Sequence, residues 1–156
     1  MKLYLLRHGK ADWPDWDEDD DLRPLTEEGI AEMEKVAAAL KRLKLEPGAI
    51  LSSPLPRALQ TAEIAAKALG LAVEQEDALR PGMDAMDFVA CVAERQDRDL
   101  MIVGHEPDFS VLLLCLTGAR VKFPKAAIAA VELSEELEEP RLLWLFPAKT
   151  LIRLYG

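Results

Sequence analysis

Between Lys2 and Arg7 the chain sets four apolar or aromatic positions in a row, Leu3 to Leu6. A run that short, apolar on both of its alternating faces, predicts a buried strand over Lys2–Leu6. A polar stretch follows, after which Thr26 can cap a helix that carries Glu27 and Glu28 in its positive first turn. Ile30, Met33, Val36, Ala37, Leu40 and Leu43 recur at helical spacing along it, and Pro47-Gly48 ends the unit. The pattern then predicts a strand over Ala49–Ser52, a helix over Arg57–Leu69 stopped by Gly70, and a short strand over Val73–Glu76. After the Pro81-Gly82 turn, Met86, Val89, Val92 and Ala93 mark a third helix.

Leu100–Val103 is a strongly apolar strand broken by Gly104. Pro107 suits a first helical position and opens a helix through Leu116 that Gly118 closes. The last third changes character. Ile128–Leu133 and Leu142–Phe146 read as two strands with no helix between them. Alternating strands and helices imply an α/β fold of three layers: a largely parallel sheet with helices on both faces, edged by the antiparallel C-terminal pair. Repeats, low-complexity tracts and linkers are absent from the 156 residues, so one domain over 1–156 is expected.

Composition narrows the function classes. A net charge of −9 opposes nucleic acid or an anionic membrane as partner. The longest apolar run, Val111–Leu116, is too short to span a bilayer, and no leader pattern precedes Arg7. Cys91 and Cys115 both sit in apolar, helix-patterned stretches, which favours two buried thiols in a reducing cytoplasm over a disulfide framework.

The candidate chemistry lies at strand ends. In open α/β sheets ligands bind beyond the carboxyl ends of the strands. Here those ends read Arg7-His8-Gly9, Ser52-Ser53-Pro54-Leu55-Pro56-Arg57 and Gly104-His105-Glu106-Pro107. Both histidines of the chain and two arginines therefore converge on one edge. Such a cluster suits phosphoryl transfer. Arg7 and Arg57 offer forked donors to phosphate oxygens. A neutral imidazole is a competent nucleophile toward phosphorus, and a second imidazole, once protonated, donates to the equatorial oxygens. Gly9 would let backbone approach the ligand, and the amides opening the helix after His105 can face an anion. Two guanidinium groups neutralise the phosphate, so the chemistry calls for no metal and no other cofactor. The residues alone leave open which histidine attacks.

The segments LRHG, RPLTEEG, LSSPLPRALQTAEIA and VGHEPD, in that order, resemble the histidine phosphatase (phosphoglycerate mutase-like) superfamily from the first strand to about residue 110. The short length and the RPLT segment are similar to its small phosphohistidine phosphatases of the SixA type. The resemblance implies that His8 accepts the phosphoryl group and that Arg7, Arg57 and His105 form the phosphate pocket. The implied substrate is a phosphohistidine on a protein, with inorganic phosphate as product. A small-molecule phosphomonoesterase and a non-catalytic phosphohistidine-binding module are the alternatives.

Larger relatives carry a glutamate that protonates the leaving oxygen, in a Leu-x-Glu segment. Here the corresponding stretch is Leu79-Arg80-Pro81, with proline in place of the carboxylate. An ester leaving group needs general-acid help worth about 10²- to 10⁴-fold in rate. A departing imidazole needs less, so the absence points toward N–P bonds. Asp84 and Glu106 are the substitutes in reach; Asp84 equally suits a helix cap, and Glu106 could simply line the pocket. Only 48 positions separate Arg57 from His105, so a shallow, open pocket is expected. Ser53 either donates to phosphate or shapes its turn. Arg23 either reaches the pocket or pairs with the acidic loop that follows His8, where Asp12, Asp15, Asp17, Glu18, Asp19, Asp20 and Asp21 cluster around Trp13 and Trp16. That loop is either a solvated surface or a contact for a basic partner.

Overall fold

The computed structural model describes residues 1–134 and 139–156. One six-stranded sheet runs β3-β2-β4-β1-β5-β6, built from β1 (Lys2–Arg7), β2 (Ala49–Ser52), β3 (Val73–Gln75), β4 (Leu100–Gly104), β5 (Ile128–Glu132) and β6 (Arg141–Phe146). Strands β3, β2, β4 and β1 are mutually parallel, while β5 lies antiparallel to both β1 and β6. The antiparallel edge is therefore where the sequence places it. Part of the β5–β6 connection, residues 135–138, lies outside the described residues, so the expected absence of a helix there is not addressed.

Alternation explains why the strand runs are continuously apolar. Tyr4, Leu6, Ile50, Met101, Val103, Ile128 and Ala130 face one layer. That layer holds α1 (Glu27–Arg42), α2 (Pro56–Leu69) and α5 (Ala148–Tyr155). Leu3, Leu5, Leu51, Leu100, Ile102, Ala129 and Val131 face the other, which holds α3 (Ala85–Ala93) and α4 (Asp108–Thr117). With both faces covered, the middle positions of β1, β2 and β4 are apolar or aromatic, and polar side chains enter only at the strand ends, at Lys2, Arg7 and Ser52.

The helix ends follow their capping residues. Thr26 accepts from the Gly29 amide, and Gly70 and Gly118 close α2 and α4 in the left-handed conformation. Pro107 stands one place earlier than expected, as the residue preceding α4. Two further differences are informative. Helix α5 is not among the expected elements, although Ala148, Leu151, Ile152 and Tyr155 recur at helical spacing; Leu151 is fully buried and the helix packs on α1. Cys115 is exposed, against the expectation of two buried thiols, because α4 is apolar nearly all round and its outward face also shows Val111 and Leu114. No described helix is long and apolar enough to cross a membrane.

Candidate active site

Register brings the two histidines together. Strands β1 and β4 are adjacent and parallel with Arg7 opposite Gly104, so His8 and His105 are the next residues out of each strand. Their rings stand 5.3 Å apart between centroids, tilted by 56°. The His8 amide donates to the Gly104 carbonyl, and the His8 carbonyl accepts from the Ala126 amide, fixing the backbone at the strand exit. Strand β2 lies on the other side of β4, and there the Ser53 amide donates to the Val103 carbonyl. Its side chain meets the second imidazole, Ser53 Oγ to His105 Nε2 at 2.8 Å. The rings and their neighbours are buried: His8 is 7% exposed, His105 2% and Arg57 7%.

His8 Nδ1 lies 2.7 Å from the Gly9 carbonyl. A carbonyl only accepts, so Nδ1 carries the proton and Nε2 keeps the lone pair. Burial and the Arg57, Arg7 and Arg23 charges, opposed by the Gly9 bond, push His8 down to about 4. Burial and then His8, Arg57 and Arg7 push His105 down to about 3. Both rings are therefore neutral at neutral pH in the unliganded site.

The guanidinium groups are held by backbone. Arg7 Nη1 donates to the Phe123 carbonyl at 2.8 Å, and Arg57 Nη1 to the Asp20 carbonyl at 2.7 Å. The Nε of each is buried without a partner, as is His105 Nδ1. The two guanidinium Nε–H groups are donors, and buried donors left unpaired cost on the order of 1–3 kcal/mol each, a cost that an incoming oxyanion would remove.

Thr61, in the second turn of α2, ties two of the strand exits together. Its hydroxyl accepts from the Gly9 amide at 3.1 Å and donates to the Arg57 carbonyl at 2.8 Å. Thr61→Val keeps the shape but strands the Gly9 amide, so a loss of about 1–3 kcal/mol is expected in chemical denaturation, with Thr61→Ser close to the parent.

The remaining sequence candidates fall into place individually. A Cβ on Gly9 would come within 2.9 Å of Met33 Cγ, so packing on α1 by itself demands the glycine. Asp84 is the cap of α3, accepting from the Met86 and Asp87 amides. The Glu106 carboxylate is clasped by the Ser110 amide and hydroxyl while raising the affinity of Arg7 for its proton. Neither carboxylate is free. Arg23 pairs with the acidic loop, and its charge also lowers the proton affinity of two site residues. Its Nη1 donates to the Ala11 carbonyl at 2.7 Å, it pairs with Asp20 at 3.5 Å and Asp12 at 3.8 Å, and its charge acts on His8 and Arg57. Lys125, far along the chain, pairs with Asp12. Among the described residues no group of three or more His, Cys, Asp or Glu is placed to hold a metal. A groove of about 680 Å³ between α1 and α2, lined by residues such as Ile30, Glu34 and Lys67, contains none of the site residues.

Residues 3–88 match the family model of the histidine phosphatase superfamily (branch 1). The chain is 39% identical over 137 residues to an uncharacterized protein of Picosynechococcus sp., covering 82% of each. It is 30% identical over 142 residues to the phosphohistidine phosphatase SixA of Escherichia coli K12, covering 86% of this chain and 87% of that one. Among solved structures, the protein histidine phosphatase SixA complexed with tungstate superposes with a TM-score of 0.87 at 30% identity, over 97% of this chain and 99% of that chain.

Proposed function

The chain belongs to the histidine phosphatase superfamily and is a phosphatase, and from that premise we propose that it hydrolyses the N–P bond of phosphohistidine on a protein through a covalent phosphohistidine at His8. The observation that carries this reading is the pair of imidazoles 5.3 Å apart, both under the charges of Arg7 and Arg57, with His8 Nδ1 tied to the Gly9 carbonyl. His8 Nε2 attacks phosphorus as the substrate's N–P bond breaks, and the departing imidazole takes a proton from solvent. Arg7, Arg57 and His105 hold the equatorial oxygens. Phosphate binding places negative charge beside His105 and raises its proton affinity. Water then forms the new O–P bond, the His8–phosphorus bond breaks, and inorganic phosphate leaves. Ser53 orients His105.

The choice of an N–P substrate is supported by the employment of both candidate acids: Asp84 caps a helix and Glu106 is clasped by Ser110. With both of these carboxylates engaged, imidazole is the better leaving group. No metal is needed in this scheme. We read residues 1–156 as one histidine phosphatase domain, supported by a sheet whose strands run from Lys2 to Phe146. Free thiols at Cys91 and Cys115 are in keeping with a reducing cytoplasm. The direct test is a panel of phosphohistidine peptide, free phosphohistidine and metabolite esters, turned over with and without His8. Esters hydrolysed faster than the peptide would reject the N–P assignment.

The depressed imidazoles set the pH behaviour. Since His8 protonates only near pH 4, kcat/KM should not fall as pH drops from 8 through 6.5 to about 5, after subtraction of spontaneous hydrolysis. Stability behaves differently. Both histidines protonate more readily in the unfolded chain, so their contribution is complete above 6.5 and is lost as pH falls toward their folded values of about 4 and about 3. Urea titrations at pH 7 and pH 5 should differ by up to about 2 kcal/mol per imidazole. Equal stabilities at the two values would mean that the rings are solvated.

A further inference from the structure

The loop between His8 and α1 overhangs a pocket of opposite charge. We propose that this loop is a docking rim for a basic protein surface, so that the phosphohistidine turned over here is one flanked by lysine and arginine side chains; the proposal rests on the phosphatase reading above. Seven carboxylates lie between Asp12 and Asp21, and all are exposed. Two are answered within the chain: Asp12 by Lys125 and Arg23, and Asp20 by Arg23. Asp15, Asp17, Glu18, Asp19 and Asp21 pair with no cation among the described residues, whose ion pairs otherwise lie elsewhere.

The pocket beneath gives the independent sign of a ligand. Arg57, 93% buried by its 7% exposure, bonds the Asp20 carbonyl of this loop and leaves its Nε unpaired; His105, 2% exposed, leaves Nδ1 unpaired. The floor thus asks for an anion, and the rim repels one. A ligand satisfies both only if a single phosphoryl group is its one negative feature and the surroundings are cationic. A free polyanionic metabolite fails at the rim, where like charges within a Debye length of about 8 Å still act. A basic surface is drawn to it, and steering of this kind raises association rates by about 10- to 10³-fold.

The rim is also built for contact rather than for fraying. Trp13 Nε1 donates to the Pro24 carbonyl at 2.9 Å and Trp16 Nε1 to the Asp19 carbonyl at 3.1 Å, and the Asp19 carboxylate accepts from the Asp21 amide. Trp13 and Leu22 remain 38% and 58% exposed beside the carboxylates, an apolar patch for the partner to cover.

The test uses two phosphohistidine peptides of equal length, one with Lys/Arg flanks and one with Ser/Gly flanks, and phosphoramidate as the small reference. The variant is Asp15→Asn, Asp17→Asn, Glu18→Gln, which leaves the loop's internal bonds intact. For the parent at low salt, kcat/KM on the basic peptide should exceed the neutral one by about tenfold or more, and the ratio should collapse in about 0.5 M salt, where the Debye length is only a few Å. In the variant that ratio should fall toward one when each rate is normalised to phosphoramidate. Equal rates on the two peptides, or a ratio the variant keeps, would overturn the docking rim. Binding of the same peptides to His8→Ala protein reads the rim without turnover. A salt-sensitive preference there supports it even if the parent hydrolyses no peptide, a result that would reject the phosphatase reading alone. No preference there overturns the rim.

Discussion

His8→Ala protein is expected to form no phosphoenzyme and to lose turnover by about 10⁴-fold or more. The prediction follows from the atoms left over at the site. His8 has one nitrogen bonded to the Gly9 carbonyl and the other carrying a lone pair. His105 already directs Nε2 to Ser53 Oγ, and Ser53 also receives the Leu55 amide at 3.3 Å. Ser52 donates its hydroxyl to the Ser53 carbonyl, so it too is engaged. Only His105 Nδ1, which has no partner, could stand in for the lost ring, and the labelling below reads that directly. The check is rapid acid-free quenching of labelled substrate, since a phosphoramidate bond survives base and not acid. The parent should show a burst of base-stable label and the variant none, while tungstate still raises the melting temperature of both because Arg7 and Arg57 remain. Label on His105 in the variant would reverse the assigned order of the two histidines. A variant that turns over within tenfold of the parent would end the covalent scheme.

How much of this was legible beforehand depended on whether a residue's role is local. Strand exits are local: an apolar run buried on both faces must stop before a charged side chain can appear, so Arg7, Arg57 and the two histidines announce themselves at the ends of their runs. The caps Thr26, Asp84, Gly70 and Gly118 are local for the same reason. Roles set by distant chain are silent in sequence. Arg7 rests on the Phe123 carbonyl and Asp12 on Lys125, each more than a hundred positions away. Gly9 looks like a ligand-approach glycine, but a packing constraint on it comes from Met33 and Leu25 of a later segment. Helix α4 shows the limit of periodicity: when nearly every position is apolar, the pattern cannot say that Cys115 faces out. Helix α5 is the opposite case: Ala148, Leu151, Ile152 and Tyr155 do recur at helical spacing, but over only eight residues after a strand, too short a run to stand out from the preceding apolar stretch.

Replacing the other central charge should separate activity from stability. Arg57→Leu is expected to lower kcat/KM by about 10³-fold, the lower range for a guanidinium that stabilises a transferring phosphoryl group, without lowering the melting temperature. Arg57 sits in the first turn of α2 behind Pro56, where the helix N-terminus is itself positive. Its proton affinity is reduced first by burial and then by Arg23, opposed by Asp21 and Asp20. A cation kept dry beside other cations is a native-state cost, as expected if its place is reserved for the proposed phosphate. Leucine removes that cost, and the Asp20 carbonyl it abandons belongs to an exposed residue that water can reach. Arg57→Lys keeps the charge without the fork and should fall between parent and leucine in activity. Tungstate affinity should drop in the same order, so the thermal shift on adding tungstate shrinks from arginine to lysine to leucine. A melting temperature several degrees lower in Arg57→Leu, with kcat/KM little changed, would make this guanidinium a structural tie to the acidic loop and remove it from the phosphate pocket.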